Sequence, residues 1–453
     1  MIFLKRKRLI FWLLRAYAKR WRRTILTSFI IGLIGFFLLR YGVNYFVPLL
    51  PFIHEEKIGI EGAYTVSDLP AEIVSKVSVG LTKLDKDYQP IPAVAKRWEV
   101  RDNGKTYIFY LNDEYYFSDK TKLTSEHIKY DFTDATTQTP NKSTIIFKLK
   151  SSYSPFLVTV SRPIFKGGFV GIGEYKVSSV SFNGDFVQAI SLRSLKEQHT
   201  VLTYTFYPTQ EALKTAFVLG EVDKAIGLTD IKFDDTTLDK FPNVSLKRSL
   251  NDQSLITVFY NNRDKNLSDK RLRSGLSYAI PDDFMEGKRN YGSLSPSSWA
   301  AVPMPVDHVQ DFDHAKLILS DSDAFKSNKR LTLELKTYEK YKDIAQKLKS
   351  SWEKIGIDVT ITTVETFPEV FQVFLGDFRV PKDPDQYILW HSDQVDNITG
   401  YKNLRIDKLL EDGRQTSDVS ERKKIYADFT KYLLDDPPAS FIMFPYQYEV
   451  SRR

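Results

Sequence analysis

Residues 383–394, DPDQYILWHSDQ, place three carboxylates, a tryptophan and a histidine within twelve positions. Such a group could hold a metal ion, perform acid/base chemistry, line a ligand pocket or decorate a turn. Asp383 and Asp385 lie two apart across Pro384, which favours an extended path, so both side chains are expected on one side of the chain. Carboxylates that close do not face each other across a scissile bond, as glycosidase partners must. No Gly-x-Ser-x-Gly elbow or other ordered nucleophile occurs. The six histidines (54, 127, 199, 308, 314 and 391) include no pair at the i, i+4 spacing of a helical metal site. His308 and His314 sit six apart in the loop DHVQDFDHAK, which reads as solvated rather than metal-binding. No catalytic set, metal site or cofactor is therefore expected. Binding is the natural chemistry. A partly buried carboxylate pairs with an ammonium group, and Trp390, Tyr387 and Tyr401 offer flat apolar walls. His391 and Asn397 complete the candidate ligand-binding set. The competing reading is a capped surface loop with one buried tryptophan.

The ends of the chain say where such a site would work. The first 54 residues hold ten Lys or Arg and no acidic residue, so the net +7 becomes −3 for everything after His54. The high pI belongs to a tail, and nucleic-acid binding by the body gets no support. TILTSFIIGLIGFFLL lies between Arg23 and Arg40, uncharged and apolar. A transmembrane helix is expected from about Thr24 to Val47, with Arg40 snorkelling to the outer interface. Nine basic residues precede it, which places that end in the cytoplasm and the body outside the cell membrane. The long basic lead-in, with no clean small-x-small site after the apolar run, favours an uncleaved anchor over a cleaved signal. The absence of cysteine excludes disulfides, thiolate metal sites and a lipid-modified N-terminal cysteine.

About 400 residues remain, too many for one ordinary core. TYIFYL (106–111) and STIIFKL (143–149) read as strands. Thr124 is an expected N-cap. Helices are expected over Glu211–Gly220, Asp269–Ile280, Tyr341–Ile355 and Glu421–Leu434. The strand LTLELKTY (331–338), the helix after it and the strand IDVTITTVE (357–365) form a parallel βαβ unit, which makes the second half α/β. Gly171-x-Gly173 lacks a dinucleotide fingerprint's third glycine and a P-loop's Lys-Ser/Thr, so it reads as a tight turn with unusual φ angles.

Five phrases in these elements resemble the extracellular solute-binding proteins of family 5, the peptide-binding components of ABC importers. AVAKRWEVRDNGKTYIFYLNDEYYFSDKTKLTSEHIKYDF (93–132) resembles the family's signature, with Lys120 in place of its usual glycine. VGIGEYKVSSV (170–180), ALKTAFVLGEVD (212–223), VFYNNRDKNLSDKRLRSGLSYAI (258–280) and DPDQYILWHSDQVDNITGYKNLRIDKLL (383–410) follow in the family's order. The resemblance implies an α/β, two-lobed clamp like the periplasmic binding proteins, with discontinuous lobes, here preceded by one transmembrane helix. It divides the chain into a cytosolic tail (1–23), an anchor (24–47), a β-rich first lobe (57–255), an α/β second lobe (256–440) and a return toward the first (441–453). It implies a monomeric, non-enzymatic body that captures oligopeptides between the lobes and passes them to ABC permease subunits. Nickel chelates, haem and oligosaccharides are alternative solutes on the same fold, and a ligand-less anchored signalling or structural domain is the remaining alternative. In peptide-binding relatives an aspartate in the region of Asp383 and Asp385 holds the ligand's N-terminus, but a few residues earlier, where this chain has Arg379, Val380 and Lys382.

Overall fold

The computed structural model describes residues 12, 15–17, 19–46, 54–197, 199–302, 309–326 and 331–452. His308, Val47 and residues 1–11 of the basic tail lie outside them. The chain forms two compact units: Met1–Glu55 with Glu197–Val201, and Glu56–Lys196 with Leu202–Arg453. In the smaller, the helix expected from Thr24 forms as Arg22–Phe46. Among the described residues, however, no helix is long and apolar enough to cross a membrane. The uncharged run from Thr24 to Leu39 has sixteen residues, against roughly 20 for a bilayer core.

In the larger unit the second half is α/β. Strands Leu331–Tyr338 and Ile357–Val364 pair in parallel over their full lengths, joined by the helix Lys342–Glu353. That helix buries Ile344, Ala345, Leu348 and Trp352 along one stripe, the spacing of an amphipathic helix. Gly356, at φ +88°, lets the chain leave it. Helices cover both faces of the sheet. Lys270–Tyr278, Phe312–Ser320 and Lys342–Glu353 pack one face around Leu333 and Leu335. Leu404–Gln415 and Val419–Asp435 pack the other around Phe374 and Phe441. Each large side chain so buried contributes about 1.5–3 kcal/mol.

The first half is richer in strands. Lys224–Leu228, His54–Glu61, Thr200–Tyr207, Phe186–Ser194 and Tyr175–Asn183 lie side by side in that order. A separate antiparallel sheet runs Ala95–Arg101, Thr106–Leu111, Thr144–Leu149, Ala135–Asn141. Its aromatic core includes Tyr107, Phe109, Phe147 and Phe156. One strand, Ala439–Arg452, serves both halves. Residues 439–443 pair with Ser254–Tyr260, and residues 446–452 with Val244–Leu250. Between those two partners the chain bends at Asn251–Gln253.

Two turn residues behave differently from expectation. Gly171 and Gly173 do not use the left-handed region. They are glycines because a Cβ would lie 2.2 Å from Val77 O and 2.3 Å from Lys76 O respectively. Close backbone approach, not φ, demands them. Lys120, by contrast, is held at φ +69° in a turn where its N–H donates to Phe117 O at 2.8 Å. A residue with a Cβ loses about 1–2 kcal/mol there. Lys120→Gly should therefore stabilise the body by about 0.5–1 kcal/mol, after allowing for glycine's freer unfolded chain. A thermal melt showing an unchanged or lower midpoint would refute that account.

Candidate functional site

The D-P-D stretch folds into two successive side-chain-capped turns. Asp383 Oδ1 accepts the Asp385 N–H at 3.0 Å, and Asp385 Oδ1 accepts the Tyr387 N–H at 3.1 Å. The same carboxylates also meet two arginines from successive helices. Arg422, on Val419–Asp435, donates to Asp383 through Nη2 at 2.7 Å and Nη1 at 3.3 Å. Arg414, at the end of Leu404–Gln415, donates through Nε to Asp385 Oδ2 at 2.8 Å. Both aspartates are buried. Burial works against the Arg422 charge, yet the Asp383 carboxylate beside it holds its pKa above the ordinary value. Burial pushes the Asp385 carboxyl up, opposed by Arg414 and the Tyr387 N–H. The two carboxylates are therefore committed to internal cations. They fasten the corner between the last two helices rather than offering free negative charge.

That corner is where the first half of the body docks. Ser154 N–H donates to Arg414 O at 2.7 Å, and Ser154 Oγ donates to Thr416 O. Ser152 Oγ donates to Gln415 O at 3.0 Å. These bonds satisfy carbonyls that a helix end leaves without partners. The Arg414 guanidinium lies 4.0 Å from the Tyr387 ring centroid and 5.5 Å from that of Tyr153. A second contact forms at the bend: Tyr88 Oη donates to both carboxylate oxygens of Asp252, at 2.9 and 2.8 Å. Trp299 N–H donates to Asp87 O at 2.9 Å. Between these contacts lies a cavity of about 70 Å³, lined in part by Tyr107, Leu157, Val158, Trp299, Asp383 and Arg422.

Of the seven residues singled out in the sequence, only Asp383 borders this cavity. Asp385 and Tyr387 reach its rim indirectly, through Arg414. Trp390 is core: its Nε1–H donates to Gln386 Oε1 at 2.8 Å, and it packs against Phe259, Phe378 and Phe441. Tyr401 is buried in the same cluster. Asn397 staples the loop by donating to Tyr401 O at 2.8 Å and His391 O at 3.3 Å. His391 stacks on Tyr387 at 4.1 Å, with Nε2 3.6 Å from Glu411 Oε1. The lining residues that sequence reasoning missed include Tyr107, Leu157, Val158, Trp299 and Arg422. Tyr107 alone had a signal, sharing one face of an expected strand with the core residue Phe109. Among the described residues no three His, Asp or Glu side chains converge as a metal site.

A binding clamp is the class of protein that this fold and cavity define. The model of the bacterial extracellular solute-binding proteins, family 5, matches residues 89–397; the chain belongs to that family, one of binding proteins. The oligopeptide-binding protein AppA of Bacillus subtilis is 27% identical over 280 residues, which span 54% of this chain and 50% of that relative. The structure of AppA from Bacillus subtilis in complex with a nonapeptide has a TM-score of 0.65 at 20% identity, covering 88% of this chain and 95% of that one. NikZ from Campylobacter jejuni in complex with Ni(L-His) has a TM-score of 0.71 at 19% identity, covering 88% and 94%. These likenesses establish the two-lobed α/β fold.

The ion pair at the cavity floor generates a test. Arg422→Met should cost about 3–5 kcal/mol, because Asp383 is left buried without a counter-charge. The double variant Asp383→Leu, Arg422→Met should recover most of that loss. Urea unfolding of the three proteins measures it. A single variant as stable as the parent would remove the pair from any structural role.

Proposed function

We propose that this protein is the membrane-tethered, extracytoplasmic substrate-binding subunit of an ABC importer, capturing oligopeptides between its lobes for delivery to the permease. The observation that carries the reading is the cavity itself. Both halves of the body contribute its walls, and direct contacts between them close it. Its surroundings suit a ligand read by area and backbone. Tyr107, Trp299, Leu157 and Val158 are largely apolar, and the one buried charge pair is internally neutralised. Such walls tolerate varied side chains. At about 70 Å³ the space is smaller than a peptide needs, so capture requires the lobes to part at Ser152–Ser154 and at Tyr88. The names of the peptide-binding relatives support the ligand class. The nickel complex of one structural neighbour keeps a metal chelate as the second reading. Tethering is supported by the sixteen-residue apolar run, its exposed side chains in the helix Arg22–Phe46 and the basic flank.

Peptide binding to the folded form should raise the melting temperature of the full chain in proportion to the logarithm of peptide concentration. Backbone amide exchange at residues 152–154 and 414–417 should change with it. Silence in both across a broad peptide library sinks the peptide reading. Topology has its own check: protease added to intact cells should digest the body from Lys57 onward and leave the basic tail protected. A mature protein beginning near Pro48 would exclude the tether.

A further inference from the structure

The positive charge of the tail is arranged, not merely abundant. Between residues 15 and 23 stand Arg15, Lys19, Arg20, Arg22 and Arg23, with Tyr17 and Trp21 among them. Trp21 N–H donates to Tyr17 O at 2.9 Å, and Ile25 N–H to Trp21 O at 2.9 Å. Helical hydrogen bonding thus carries through a local bend at Trp21 into Arg22–Phe46. At 3.6 residues per turn the five cations fall within about 160° of the circumference, and Tyr17, Trp21 and Ile25 share the remaining side. All eight side chains are exposed, and none of the described ion pairs involves these cations. No acidic residue precedes Glu55, so the stripe has no partner within its own segment.

A helix with a cationic face and an aromatic face, running into an apolar helix, matches one environment. That is the boundary of a bilayer carrying negative lipid headgroups. Tyr and Trp favour the headgroup level. Each Lys or Arg near an anionic surface contributes about 1 kcal/mol. The arrangement also answers the shortness of the apolar run. Sixteen residues rise about 24 Å, short of a hydrocarbon core of about 30 Å. Tyr17 and Trp21, continuous with Ile25, extend the apolar face by more than one turn on the basic side.

We propose that Arg15–Arg23 is a docking surface for anionic phospholipid headgroups, the second signal that completes a short anchor. The proposal rests on the tethered reading above and specifies the lipid it needs. The chain has no cysteine, so Ala16→Cys in the full-length protein carries a single environment-sensitive fluorophore. The protein is reconstituted into nanodiscs of neutral phosphatidylcholine, or of the same lipid with about one-third phosphatidylglycerol. The fluorophore should be about tenfold better shielded from acrylamide, an uncharged quencher, in the anionic discs. Raising the salt should erode that difference. Adding Arg15→Gln, Lys19→Gln and Arg22→Gln should abolish it while the protein stays in the discs. Equal shielding in both lipids overturns the proposal and leaves the tether standing. Failure to enter discs of either composition overturns the tether, and the proposal with it. Shielding that arises only when RNA is added assigns the stripe to nucleic acid and overturns the lipid partner.

Discussion

Everything in the body depends on the backbone pairing of Ala439–Arg452. A buried strand must satisfy its N–H and C=O groups on both sides, and this one does so with four other strands drawn from both halves. Ser254–Tyr260 and Gly287–Arg289 flank its first part; Val244–Leu250 and Lys224–Leu228 flank its second. Two segments therefore run side by side from one half to the other, 244–260 and 439–452. A connection of two paired strands resists shear but permits bending where pairing changes partner. That place is Asn251–Gln253, and Asp252, at its centre, receives the Tyr88 hydroxyl from the first half. The bend between the halves and the contact across them thus meet at one carboxylate.

The D-P-D turn organises the contact surface between the halves as that strand organises their connection. Carboxylates two residues apart cannot both be buried unpaired, since each would cost several kcal/mol. The fold resolves this by sending each to an arginine on a different helix, so one short turn sets the angle of the corner between those helices. The same corner presents Arg414, Gln415 and Thr416 carbonyls to Ser152 and Ser154. Ion pairing in the second half therefore positions the acceptors on which the first half closes.

Much of this architecture was legible from periodicity. The βαβ unit appears with strand Leu331–Tyr338 and helix Lys342–Glu353 where alternation and the 3.6-residue pattern put them. Asp269 caps its helix through its own side chain. Local rules suffice there because each element's apolar face is written in consecutive residues. The site was less legible for the opposite reason. Trp390 and Trp299 look alike as isolated aromatics. One is enclosed by Phe259, Phe378 and Phe441, from three different strands, while the other borders the cavity. Nothing near Asp383 announces Arg422, 39 positions away. Long-range pairing decides which carboxylate is free, and no spacing rule reports it.

On the proposed reading, in which the halves part to admit a ligand, the contacts between them bound how that can happen. Three hydrogen bonds join Ser152 and Ser154 to the helical corner, and two share the Tyr88 hydroxyl at Asp252. Each neutral bond contributes only about 1 kcal/mol net, since the open state exchanges it for water. The bond to a carboxylate contributes about 1.5–3. Their sum is a few kcal/mol before the entropy of holding the halves together is subtracted. A closed state favoured by about 3 kcal/mol leaves the open form populated at somewhat under one per cent, at 1.4 kcal/mol per tenfold. A ligand that enters only the open form has its apparent affinity reduced by that fraction. On the proposed reading it would recover the loss through contacts made on reclosure, with Trp299, Tyr107 and the walls around them. Selectivity on such a clamp comes from fit in the closed form.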